Sequence, residues 1–195
     1  MKRLCVSGCF FILLVFSTKC TKEYSYVGDH SVDTFTTYVI PVNEQFSLQN
    51  YYRTTDASSL KFEVIFDSSC IYKTLDPLNQ YDINKLYGFS DCDSAHLINS
   101  ARIGWRWSDD SLRLFAFVHY NGQILSKEMT TASIGSIISC SIICDTNIYK
   151  FQVNDSCTEI HRFCNGGKYR HYYLYPYFGG DEKAPHEVVI KIREL

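Results

Sequence analysis

Residues 99–120, NSARIGWRWSDDSLRLFAFVHY, read as two β-strands joined by a short polar turn. Along the first, Ala101, Ile103, Trp105 and Trp107 share one face, and Arg102, Gly104 and Arg106 share the other. Successive side chains of a strand point to opposite faces, so alternation with period 2 marks a strand buried on one side. The pair sets the class as antiparallel β and places arginine and tryptophan on an ordered scaffold.

The same reading extends in both directions. Residues 112–120 run into Asn121-Gly122, and Asn-Gly between alternating runs is the strongest short hairpin signal, because both turn residues take positive φ. Residues 123–129 form the return strand. Upstream, LKFEVIF (60–66) alternates Phe62, Val64 and Phe66 inward, and residues 34–42 read as an edge strand ended by Pro41. Downstream, residues 136–144 and 147–153 form a hairpin across Asp145-Thr146, and Asn154-Asp155 turns into 158–163. Asn165-Gly166-Gly167 is a loop, and residues 169–178 and 187–192 are the last strands. Residues 67–98 are long and polar, and they read as a functional-type loop with one helical turn at 80–86. About ten short strands with almost no helix predict an all-β, antiparallel β-sandwich, with a jelly-roll as the first choice. No internal repeat or Gly/Ser/Pro-rich linker divides the chain.

The N-terminus predicts export. Lys2 and Arg3 precede an apolar run, FFILLVF at 10–16, that is too short to span a bilayer as a helix. The segment ends at Ser17-Thr18-Lys19-Cys20, which resembles a bacterial lipoprotein signal in which Cys20 is lipidated; Lys19 departs from the usual small residue there. The expected organisation is a signal at 1–20, a tether at 21–32 and one sandwich domain at 33–195, displayed from the cell envelope by a lipid anchor. The chain of 195 residues suits one such domain. Setting aside Lys2, Arg3 and Lys19 leaves 16 basic against 21 acidic side chains, a balance of −5. A mildly acidic body argues against nucleic acid, which needs a basic footprint.

Nine cysteines agree with an oxidising compartment. With Cys5 and Cys9 in the signal and Cys20 lipidated, six remain to pair. Cys140 and Cys144 share a strand face and cannot easily bond each other, so a cross-strand partner such as Cys157 or Cys164 is expected. A zinc site of Cys140, Cys144, Cys157 and Cys164 would be the sharper chemistry, but the spacings are not those of knuckles or ribbons. Free buried thiols packing as small hydrophobes are the plain alternative.

LYGFSDCDSAH (86–96), NSARIGWRW (99–107), FAFVHYNG (115–122) and YLYPYFGGDEKAPHEVVIKI (173–192) together resemble a family of small exported lipoproteins of Bacteroidota. The resemblance covers residues 60–195. It implies a concanavalin A-like or jelly-roll sandwich on the cell envelope, and it implies no established reaction or catalytic residues. Cys140, Cys144 and Cys157 depart from the family's usual pattern.

Candidate ligand-binding residues cluster in three places. Tyr173, Tyr175 and Tyr177 share a strand face, with Tyr172, Leu174 and Pro176 on the other, and flat aromatics of this kind stack on pyranose rings. A core row is the plain alternative. GGDEKAPH (179–186) gathers Asp181, Glu182 and His186 in a loop, where two carboxylates supply part of a calcium site or contact a ligand, or simply sit in a solvated turn. Arg102 and Arg106 share a strand face that His96 and His119 could join, and arginine forks suit carboxylates such as those of uronic acids. Ion pairing with Asp91, Asp93, Asp109 or Asp110 is the structural alternative.

No G-x-S-x-G, phosphate loop or H-E-x-x-H is present. The expected function is therefore a glycan-binding, lectin-like module without catalysis. The second expectation is a polysaccharide lyase using Arg102, His119 and a strand tyrosine in β-elimination, although Gln123-Ile124-Leu125 lacks the Gln-x-His strand of alginate-type lyases and YPYFGG only loosely echoes their terminal motif. The third is a structural or adhesion protein whose aromatic face packs on another protein.

Overall fold

A computed structural model describes residues 34–164 and 170–195, which belong to one compact unit, residues 31–195. The expected signal at 1–20 with Cys5, Cys9 and Cys20, the tether at 21–32, the Asn165-Gly166-Gly167 loop and Tyr169 lie outside the described residues.

The strands are β1 (Thr36–Ile40), β2 (Thr54–Thr55), β3 (Ser59–Phe66), β4 (Asn84–Ser90), β5 (Ser100–Ser108), β6 (Ser111–Tyr120), β7 (Gln123–Ala132), β8 (Ile138–Cys144), β9 (Ile148–Val153), β10 (Ser156–His161), β11 (His171–Leu174) and β12 (Val188–Glu194). They form two antiparallel six-stranded sheets, β1-β12-β3-β8-β9-β10 and β2-β11-β4-β5-β6-β7. The only helical pieces among the described residues are two 3-10 turns, Ser68–Cys70 and Pro77–Tyr81. The all-β sandwich read from the alternating runs is the architecture observed.

The alternation does what the pattern predicts. Phe62, Val64 and Phe66 of β3 face Ile103, Trp105, Leu112 and Leu114 of β5 and β6 across the core, and all are fully buried. Each such side chain contributes about 1.5–3 kcal/mol of hydrophobic stabilisation. The hairpins close on left-handed residues: Asn121 (φ 48°) and Gly122 (φ 80°) between β6 and β7, and Asp109 (φ 52°) and Asp110 (φ 53°) between β5 and β6. Paired positive φ values match the twist of the flanking strands.

Two expectations are corrected. The first is the loop at 67–98, whose second half is a central strand. Residues 84–90 form β4, paired with β5 on one side and β11 on the other. A β-bulge between Lys85 and Tyr87 interrupts the register. Leu86 and Tyr87 consequently both point into the core at 0 % exposure, so NKLYGFS shows no period-2 pattern to recognise. The observed 3-10 turn, Pro77–Tyr81, overlaps only the first two residues of the helical turn expected at 80–86, the rest of which belongs to β4 and its approach.

The second correction concerns the cysteines. Cys164, just after β10, bonds Cys92, two residues past the end of β4, and so ties the two sheets together. Cys70, Cys140, Cys144 and Cys157 are free thiols. Cys140 is buried among apolar side chains while Cys157 is exposed, so the four cysteines of the zinc alternative do not converge. Beside the disulfide, Asp91 is completely buried and receives Arg162 Nε (2.6 Å) and Nη2 (3.0 Å), Tyr149 Oη (2.6 Å) and the Cys92 amide (2.8 Å). Burial pushes its carboxyl up, but the bonds from Arg162 and Tyr149 outweigh that and hold it below the usual range.

Candidate functional site

The outer face of the second sheet carries a groove of about 750 Å³. Its floor comes from β4, β5, β6 and β11. Its walls come from the β1–β2 connection (Phe46, Asn50, Tyr51 and Tyr52), from His96 and Leu97 between β4 and β5, and from the 174–180 stretch.

Register explains how the floor is assembled. Gly88 of β4 pairs with Arg102 of β5, which pairs with Phe117 of β6; Lys85 pairs with Gly104. In an antiparallel ladder, paired residues point to the same face. Lys85 and Gly88 are an odd number of positions apart, so a regular strand would put them on opposite faces. The bulge at Leu86–Tyr87 brings both to the groove side. Gly88 is required there, because a Cβ would lie 2.1 Å from the Ala101 carbonyl oxygen and 2.8 Å from Arg102 Cγ.

The polar groups of the floor are basic. Lys85 donates to the Gly179 carbonyl (2.7 Å) and sits 5.2 Å from the Phe117 ring centre. Burial, with Arg102 nearby, lowers its ammonium to about 8. Arg102 is 5 % exposed, and burial lowers it to about 10. His119 lies 3.2 Å from Ser100 Oγ through Nδ1; burial first, then the charges of Arg102, His96 and Lys85, bring it down to about 4, so the ring is neutral at neutral pH. His96 is lowered by burial and by Arg102. Its amide donates to the Tyr172 hydroxyl (2.7 Å), which lies 3.1 Å from His96 Nδ1. Among the described residues, no Asp or Glu lines the groove.

Of the residues singled out in the sequence, Arg102, His119, Tyr173, Tyr175 and Tyr177 line this groove. The three tyrosines do not share a face, however. Tyr173 pairs with Phe89 on the core side and stacks on Tyr87, and Tyr175 stacks on Tyr38. Tyr177 bridges Lys85 on the groove side. The bulge in β4 is the reason, since it switches the face presented to the neighbouring chain. Tyr172, assigned from sequence to the opposite face, joins the groove instead.

Arg106 sits apart, donating to Ser108 Oγ (3.1 Å) and the Tyr81 carbonyl (2.8 Å) and lying over Phe115. The GGDEKAPH residues also lie elsewhere. Glu182 accepts from the Leu75 amide (2.9 Å), the Asp76 amide (2.8 Å) and Asn79 Nδ2 (2.9 Å), clamping the 75–79 turn, and these bonds keep its carboxyl below the usual range. The Asp181 amide donates to Asp82 (3.1 Å), and His186 Nε2 lies 2.8 Å from the Ser69 carbonyl. Among the described residues, the groupings of metal-ligating type are Asp91–Cys92–Cys164 and Asp91–Cys144–His171. Asp91 is already committed to Arg162, and Cys92 and Cys164 to their disulfide.

Sequence reasoning passed over Lys85, hidden by the bulge, and Phe46, Tyr51 and Tyr52, which lie in a segment without strand periodicity. The one local signal was the adjacent Tyr51-Tyr52 pair in a polar segment, which the fold leaves 59 % and 78 % accessible.

No protein-family model and no curated protein matches this chain. Among solved structures it is similar to the Bacteroides ovatus mixed-linkage glucan GH16 protein, solved with its G4G4G3G product, at 8% identity over 82% of this chain and 79% of that one, with a TM-score of 0.54. It is similar to SCLam, a non-specific endo-β-1,3(4)-glucanase of family GH16, at 8% identity over 82% and 69%, with a TM-score of 0.53. The alginate lyase AlyC3 shares 7% identity over 81% and 72%, with a TM-score of 0.52. At these identities the likeness is one of fold, the jelly-roll sandwich.

Proposed function

We propose that this chain is a carbohydrate-binding sandwich module that holds a saccharide in the groove on its second sheet. The observation that carries this reading is the groove itself, about 750 Å³ in volume and walled by Phe46, Tyr51, Tyr52 and Tyr177. Flat rings with exposed faces match the apolar faces of pyranoses, and a groove of this size with few polar groups is the usual form of a small-ligand site. The fold shared with glucanases and an alginate lyase supports the reading by analogy. Export is part of the same proposal: the signal-like residues 1–20 and the Cys92–Cys164 disulfide would suit an extracytoplasmic protein, and a lipidated Cys20 would anchor it at the envelope.

The test is a glycan array followed by titration of the hits. Tyr51→Ala and Tyr52→Ala remove exposed rings and should leave the fold intact. Each should weaken binding about two- to tenfold, the worth of one stacked ring. Undiminished binding in both variants, or no saccharide bound at all, would remove this reading.

A second reading, a polysaccharide lyase, is favoured by one observation: Arg102, neutral His119 and Tyr172 line the same groove. A neutral imidazole is the form that accepts a proton in β-elimination. Unsaturated product accumulating from a bound polysaccharide would move the function to the lyase.

A further inference from the structure

Among the described residues, the groove floor holds a charge without a counter-charge. Arg102 is 5 % exposed, its Nε is fully buried, and no hydrogen bond satisfies that atom. Unpaired buried ions are costly, so a fold that keeps one has a use for it or repays it elsewhere. Two other arginines show what a structural role looks like here. Arg162 grips Asp91 through Nε and Nη2 and also donates to the Asp145 carbonyl (3.1 Å). Arg106 donates to Ser108 and Tyr81. Arg102 has no ion-pair partner among the described residues, and its remaining exposure opens on the groove.

The surroundings reinforce the imbalance. Lys85 and the two histidines stand on the same floor, and among the described residues no carboxylate lines it. The acid that acts on Lys85, Asp82, accepts the Asp181 amide at 3.1 Å. The aromatic walls lower the local dielectric, which strengthens any ion pair formed inside.

The geometry points to an anionic saccharide as the occupant: an oxyanion substituent of a pyranose, the carboxylate of a uronate or a sulfate ester, seated on Arg102 beside Lys85 while the rings hold the sugar. This rests on the carbohydrate-binding reading and narrows it to one ligand class. The planar guanidinium fork is matched to such oxyanions.

Matched ligands test it without altering the protein. The full chain is titrated calorimetrically with polygalacturonate and its methyl ester, with a sulfated galactan and its desulfated form, and with a neutral β-glucan. The expected result is that one charged polymer binds at least about tenfold more tightly than its neutralised partner, the worth of one charge-assisted contact. Whichever pair shows the gap identifies carboxylate or sulfate. Arg102→Gln should erase that gap, and Lys61→Gln, on the other sheet, should not. The chain's own net charge of −2 gives polyanions no general attraction to obscure the result. Equal binding of charged and neutralised partners, or preference for the neutral glucan, overturns the inference and leaves carbohydrate binding standing. Binding of no saccharide overturns both. If Arg102→Gln does not fold, the esterified and desulfated ligands still decide.

Discussion

Replacing Arg102 by methionine separates a ligand-facing arginine from a structural one, because the two roles predict opposite signs for stability. A buried arginine that holds the fold together destabilises it when removed, as any half of a satisfied pair does. An arginine kept for an absent anion carries an unrecovered desolvation cost, and its loss stabilises. Burial lowers Arg102 from 12.5 to about 10, which corresponds to on the order of 3 kcal/mol against the charged form. Methionine keeps most of the aliphatic stem and discards the charge. Allowing for some lost packing, the ligand-free variant should gain about 1–3 kcal/mol, within the range seen when buried ions are replaced by apolar side chains. For a chain of this size that raises Tm by roughly 2–10 °C. Urea and thermal unfolding of both proteins, without ligand, read this directly, and the same preparations report saccharide binding. A variant that is less stable than the parent by more than about 1 kcal/mol, or that binds anionic saccharide as well as the parent does, would refute the reasoning.

Further outcomes follow from other parts of the molecule. Asp91→Ala removes the carboxylate that faces the Arg162 guanidinium, whose side chain is 4% exposed, and should cost about 3–5 kcal/mol by urea unfolding, with Arg162→Met recovering part in the double variant. His119 has a folded value near 4, below its ordinary 6.5, so the unfolded chain binds more protons between these values and stability rises with pH across that window. Acidifying from pH 6.5 to 4 should therefore remove up to on the order of 3 kcal/mol, and His119→Gln should flatten that part of the profile; an unchanged profile would mean that the histidine is solvated. Gly88→Ala drives a Cβ to 2.1 Å from the Ala101 oxygen and should cost at least about 1–3 kcal/mol, seen as a lower urea midpoint. Reducing Cys92–Cys164 opens a crosslink spanning 72 residues and should cost about 2–4 kcal/mol, measured by unfolding with and without reductant.

The candidate site was only half legible from the residues. Arg102 and His119 sit on regular stretches of β5 and β6, where period 2 assigns each side chain to a face, and both reach the groove. Lys85 and Tyr172 could not be placed in that way, because one bulge in β4 shifts the phase of everything around it. Asp181, Glu182 and His186 look reactive as a string of letters, yet Glu182 spends its carboxylate on the 75–79 turn. Nothing local distinguishes a carboxylate that ligates from one that caps a turn.

Read by itself, the chain determines its class. The alternation in LKFEVIF and NSARIGWRW and the Asn121-Gly122 turn are local properties, set by side-chain direction and by which residues accept positive φ, and they dictate antiparallel strands with a buried face. What only the tertiary structure decided depends on register between distant strands: the pairing of Cys92 with Cys164, the splitting of Tyr173 from Tyr177, the burial of Asp91 with Arg162, and the solitude of Arg102. Arg102 and its nearby acids are all visible in the sequence. That Asp91 turns inward to Arg162 while Arg102 turns outward to the groove follows from the face each residue occupies in the folded sheet, and that is a property of packing.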